Sequence, residues 1–226
     1  MNNKILTPVI IIFWAIVILD ITGIAAEITV LHYIAKPLLM PALIFIAAGS
    51  TDNVSGKKII VAALFFSWLG DIFLLLENRN ALFFIFGLIC FLTAHIFYIL
   101  YFLHIRSSNI SLLKKQPLLI AAVICYGITL VWFLFPHLGD LKIPVFVYAI
   151  IICSMLLCSL HVYSKANKQA NIFFVSGALF FVLSDSLLAL NKFYQPFTFA
   201  GVCIMLTYCA AQYLIVNGFI KQQLHD

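Results

Sequence analysis

The chain has 226 residues, of which 65% are hydrophobic and only 9% charged, with a net charge of +5. A soluble domain carries about 25% charge, so the surplus apolar surface must face lipid. The six cysteines, Cys90, Cys125, Cys153, Cys158, Cys203 and Cys209, all fall in apolar runs and form no C-x-x-C pair, which points to neither a disulfide framework nor a zinc knuckle.

Eight apolar spans follow in order, near Ile5–Ile24, Thr29–Ala48, Lys58–Leu76, Ala81–Leu103, Pro117–Phe135, Ile143–Tyr163, Ile172–Leu190 and Phe197–Phe219. Each has about the 17–25 residues needed to cross a hydrocarbon core. Backbone groups in lipid must be satisfied within their own segment, so the spans are read as helices, and the alternation of a membrane barrel is absent. The first span resembles a signal-peptide core, but its length and its Asp20 favour a retained helix. The expected fold is thus an all-α integral membrane protein of eight transmembrane helices, a single domain over 1–226. With eight spans, the termini and the even-numbered loops share one side. That side holds nine of the thirteen Lys and Arg, among them Lys57, Lys58, Lys114 and Lys115, which by the positive-inside rule places both termini in the cytoplasm. The basic excess is accounted for by topology, and nothing points to a nucleic-acid partner. The plasma (inner) membrane is the expected location.

A shift of 114 residues superposes Asp71 on Asp185. Over Phe65–Leu100 against Leu179–Leu214, ten of 36 positions are identical, including Leu74/Leu188, Gly87/Gly201 and Thr93/Thr207. This suggests a parallel four-plus-four duplication, with halves of about 1–105 and 106–226, whose two aspartates would face each other across the pseudo-axis. Each aspartate sits about 13 residues, near 20 Å, from the cytoplasmic end of its helix. A carboxylate at such depth is costly unless paired, protonated or hydrated, and is a functional candidate by default. Asp20 reaches a similar depth but is read as a snorkelling or interface residue. Pro37 and Pro41 cannot donate to the carbonyls of Tyr33 and Pro37, so the second helix is expected to kink or fray and to leave open carbonyls near Lys36. His95 shares a helical face with Phe91, Leu92, Tyr98 and Ile99, and Tyr208 shares one with Gln212. Ser184 adjoins Asp185, and Asn191 lies further out. His32, His104, His137, His161 and His225 fall at loops or span ends and are expected to be solvated.

These residues together resemble the YhhN-like lysoplasmalogenase family of multi-pass membrane proteins. The resemblance rests on Lys36-Pro37, Leu69-Gly70-Asp71, Gly87-x7-His95-x2-Tyr98, the run Gly177–Ser186, and Thr207-Tyr208-x3-Gln212. It implies hydrolysis of the vinyl ether bond of lysoplasmalogens to a fatty aldehyde and a glycerophospho-alcohol, without a cofactor or metal. The substrate would be a lysophospholipid entering from the bilayer, among membrane lipids. Such an ether hydrolyses by protonation of the alkene carbon and capture of an oxocarbenium ion by water, which needs a carboxylic acid and a nearby negative group, as in glycoside hydrolysis. Asp71 and Asp185 suit these roles, with His95 as base or as a group holding an aspartate. Lys36, Tyr98, Ser184, Asn191, Tyr208 and Gln212 are the candidate substrate contacts. Rival readings are a proton-coupled small-molecule or lipid transporter using the same aspartates, a metal-dependent hydrolase, and a non-catalytic lipid sensor. Oligomeric state is not legible.

Overall fold

A run of some twenty apolar residues in lipid can satisfy its peptide groups only by coiling on itself, and the computed structural model of the chain is built of helices. It describes residues 3–49, 55–105, 111–163 and 168–223, and helices joined by short turns make up these described residues. The helices are α1 (Asn3–Ala25), α2 (Thr29–Gly49), α3 (Lys57–Leu75), α4 (Ala81–His104), a single turn α5 (Leu112–Lys115), α6 (Leu118–Leu134), α7 (Lys142–Val162), α8 (Lys168–Ala189) and α9 (Ala200–Gln223). Among the described residues, eight stretches are long and apolar enough to cross a membrane, matching the eight expected spans. His225 lies outside the described residues.

Apolar side chains form both the core and the outer surface, and several polar groups are buried inside. Trp132, Ile143, Val30 and Ile128 are more than 60% exposed, whereas Asp20, Ser67, His95, Ser159 and Gln212 are completely buried. Lipid takes the apolar faces and the interior collects the polar groups, as expected where hydrocarbon is the solvent. α8 packs most extensively on α9, α3 on α4, and α1 on α2, while α6 stands at the periphery with Val123 and Leu134 as its buried residues. The α8–α9 seam is close because Gly177 has no side chain. A Cβ there would meet Ile215 Cγ1 at 2.7 Å and the Ala211 carbonyl oxygen at 3.0 Å.

Two segments differ from expectation in ways that shape the site. α2 neither frays nor breaks at its prolines and is continuous from Thr29 to Gly49. The Pro37 carbonyl, which Pro41 cannot use, accepts instead a hydrogen bond from the Trp68 indole Nε1 of α3 at 2.9 Å. A neighbouring helix thus satisfies the group that the proline left open. α8 continues past Ala189 as a π-helical turn over Leu190–Tyr194, and the last helix starts at Ala200 rather than Phe197 because Phe199 turns the chain with φ +60°. Such π turns widen a helix by one residue and cluster at functional sites.

Candidate active site

α3 and α8 each carry one aspartate toward the bundle interior, and the two are held by different networks. Asp71 is 2% exposed, and its Oδ2 accepts a hydrogen bond from the Tyr208 hydroxyl of α9 at 2.8 Å. Asp185 is more open, with 15% of its side chain exposed. Its Oδ2 accepts a hydrogen bond from the Tyr148 hydroxyl at 2.6 Å and lies 3.1 Å from His95 Nε2, which is itself 2.9 Å from the Tyr148 oxygen. The His95 ring is fully buried and its Nδ1 has no partner. These bonds assign the proton to Nε2, because a buried N–H at Nδ1 would go unpaired at a cost of about 1–3 kcal/mol. With that tautomer His95 donates to Asp185 Oδ2.

The aspartates were expected to face each other. Phe181 packs against both of their networks, its ring 4.6 Å from that of His95 and 5.6 Å from that of Tyr208. Tyr98 and Gln212, both fully buried, bond to each other, and Gln212 Nε2 donates to Ser67 Oγ at 2.9 Å. That triad ties α3, α4 and α9 together. Ser184 likewise donates to the Ile204 carbonyl at 3.0 Å, tying α8 to α9.

Three spaces border these groups. Two narrow apolar crevices of about 50 and 60 Å³ both touch Asp185 and Tyr148. The first is lined also by Leu74, Phe84, Phe91 and Leu188, and the second by Tyr126 and Ser186. The third is a polar cavity of about 440 Å³ at the end of the bundle where α1 joins α2 and α3 joins α4, lined by Glu27, His32, Tyr33, Lys36, Glu77 and Asn191 among others. Leu74 and Leu188 border both the first crevice and the cavity and so form the partition between them. Asp71 borders none of the three. It lies one helical turn from Leu74, as Asp185 lies one turn from Leu188.

The cavity also corrects two sequence readings. His32 is not simply solvated, since its Nδ1 lies 2.7 Å from Asp20 Oδ1. Asp20 is no interface residue, being fully buried with its Oδ2 unpartnered. Of the remaining histidines, His104 Nε2 lies 2.6 Å from Ser55 Oγ, and His137 packs edge-on against Tyr194. Tyr148, Ser67 and Trp68 had no place in the sequence reading. The first could have been found by the rule that singled out the aspartates, as a polar group inside an apolar span. No group of three His, Cys, Asp or Glu side chains that could hold a metal ion occurs among the described residues.

Comparison with known proteins agrees with the resemblance noted from motifs. The chain is 32% identical to the lysoplasmalogenase TMEM86A of Bos taurus over 168 residues, which are 73% of this chain and 66% of that protein. It is 30% identical to a lysoplasmalogenase of Mycobacterium tuberculosis (strain CDC 1551 / Oshkosh) over 193 residues, 83% of this chain and 71% of that one. The lysoplasmalogenase TMEM86B of Mus musculus is 31% identical over 168 residues, 74% of this chain and 66% of the relative. The chain therefore spans about two thirds of the length of these mammalian relatives. No solved structure matches it. The family model described as the YhhN family matches residues 31–219, from the second helix to the last, and the chain belongs to that family.

Proposed function

We propose that the protein is a membrane-embedded hydrolase that cleaves the vinyl ether bond of lysoplasmalogens, as its relatives' names state for them. The observation that carries this reading is the Leu74–Leu188 partition, with a polar cavity on one side and an Asp185-lined apolar crevice on the other. A 1-alkenyl lysophospholipid has the same order of parts. Its headgroup is polar, its chain apolar, and the vinyl ether lies at the junction. Seated across the partition, it would bring that bond within about one helical turn, 5.4 Å, of both aspartates. The crevices have room for only a few methylenes, so the rest of the chain would lie between helices in the bilayer.

Asp185 borders the crevice, and carbon protonation needs direct contact, so Asp185 is assigned as the acid. Its carboxyl proton passes to the alkene carbon as the C=C electron pair forms the new C–H bond, leaving an oxocarbenium ion. The resulting carboxylate is already held by Tyr148 and by His95 Nε2–H, and it faces the cation it has created. Such preorganised donors are the largest single source of catalysis in many enzymes. Asp71, fixed by Tyr208, adds a second carboxyl one helical turn from Leu74. Water from the polar cavity attacks the cation and returns a proton to Asp185. The hemiacetal then collapses to an aldehyde and an alcohol, and the acid is restored. Both termini in the cytoplasm, the plasma membrane as location, and a substrate arriving laterally from the bilayer belong to the same proposal.

The test is aldehyde release from a 1-alkenyl lysophospholipid by the purified chain in liposomes. Wild type should release aldehyde, and Asp185→Asn should lower turnover at least about a hundredfold while remaining folded. Asp71→Asn should also be impaired. Absence of aldehyde from folded wild type, or full turnover by folded Asp185→Asn, would overturn the mechanism.

A further inference from the structure

The polar cavity contains a second constellation, on α1 and α2, that the reaction above does not use. Lys36 is 8% exposed, borders the cavity and makes no ion pair or hydrogen bond among the described residues. His32 stands one turn before it on the same face of α2 and borders the same cavity. Behind His32 lies Asp20, fully buried and engaged through Oδ1, with Oδ2 unpartnered.

Within this wall Lys36 makes no direct ion pair with any described residue. Asp20 is committed to His32. Glu77 is neutralised by Lys192, whose Nζ lies 3.1 Å from its carboxylate. Glu27 is exposed on the α1–α2 turn, at the rim. Asp71 is close enough to interact with Lys36 through space, but no ion pair forms. A buried ammonium without a counter-charge is costly, and an anion supplied by a ligand removes that cost. Side chains at i and i+4 start about 5–6 Å apart, a separation that lets two donors close on different oxygens of one tetrahedral group. With Nδ1 taken up by Asp20, Nε2 is the ring nitrogen His32 has left for a ligand.

We infer that Lys36 and His32 form a phosphate site, with Asp20 as the positioning residue behind His32, and that it receives the phosphodiester of the lysolipid headgroup. This rests on the ether-hydrolase reading. It extends that reading by adding His32 and Asp20, which lie outside the acid machinery, and by assigning the cavity an anion. Phosphate held here fixes the glycerol end on the polar side of Leu74 and Leu188, and so sets the register of the vinyl ether on the aspartates.

The experiment compares two substrates with the full chain in liposomes of neutral lipid: 1-alkenyl-glycerophosphoethanolamine and phosphate-free 1-alkenylglycerol. Lys36→Gln and His32→Gln should each raise KM for the first substrate roughly tenfold more than for the second, as expected for loss of a charge-assisted bond. Asp20→Asn should shift the same ratio, and Asp20→Glu should restore part of it. A variant-free arm guards against misfolding: glycerophosphoethanolamine should compete with substrate in wild type, and glycerol should not. Equally strong competition by inorganic phosphate supports the site as a general phosphate site, whereas competition by neither phosphate compound overturns it. Wild type that cleaves neither ether refutes the hydrolase reading. Wild type that cleaves both with equal KM refutes the phosphate site alone.

Discussion

Asp185 is the more open of the two candidate catalytic carboxyls, and its neighbours assign its partners distinct tasks. Tyr148 donates to it directly, while His95 stands beside both, so loss of either should weaken the stabilised carboxylate without removing the acid. Tyr148→Phe should therefore lower kcat about tenfold, less than Asp185→Asn does, with KM for the phospho-substrate little changed. Steady-state aldehyde release by the two variants checks the order, and a Tyr148→Phe defect as deep as that of Asp185→Asn would make the tyrosine the acid instead. The aspartates were legible in the sequence because each is a charge in an apolar run. Their partners were harder to see. Tyr148 and Ser67 are moderately polar and pass unnoticed in spans rich in Phe, Ile and Leu, and His32 lies so near a helix end that solvent was the simpler expectation.

At the scale of helices, the spans and their order were readable because about twenty apolar residues leave no alternative in lipid. The state of α2 was not, since it depends on a different helix. Proline makes an open carbonyl a certainty, but only the packing of α3 against α2 supplies the Trp68 indole that closes it. Trp68→Phe keeps the aromatic volume and removes the donor. It should cost about 1–3 kcal/mol, the penalty for a buried acceptor left unpaired, read as a lower midpoint of thermal unfolding in detergent. An unchanged midpoint would mean that the freed carbonyl finds another partner. The π turn at Leu190–Tyr194 was also invisible, because nothing in its residue types distinguishes a π turn from an α-helical one; it carries Asn191, which borders the cavity.

For the whole molecule, the 114-residue offset reappears in the helix bounds. Shifted by 114, α2 falls on 143–163, against Lys142–Val162 for α7, and α3 on 171–189, against Lys168–Ala189 for α8. Tyr98 and Gln212, which bond to each other, are also 114 apart, as are the partition leucines. A duplicated four-helix unit accounts for these coincidences and is proposed on them. Topology carries its own prediction. Single cysteines at Asn78 and at Lys114, introduced into a cysteine-free background, should be labelled from opposite sides of intact cells by a membrane-impermeant maleimide, with Asn78 outside. Labelling of both from one side would reverse or break the eight-span arrangement. The leucine partition has a final consequence for traffic. In the proposed reaction, a fatty aldehyde formed on the crevice side leaves toward hydrocarbon, and a glycerophospho-alcohol formed on the cavity side leaves toward water. Neither product has to pass the other on leaving, and neither has to cross a medium in which it is insoluble.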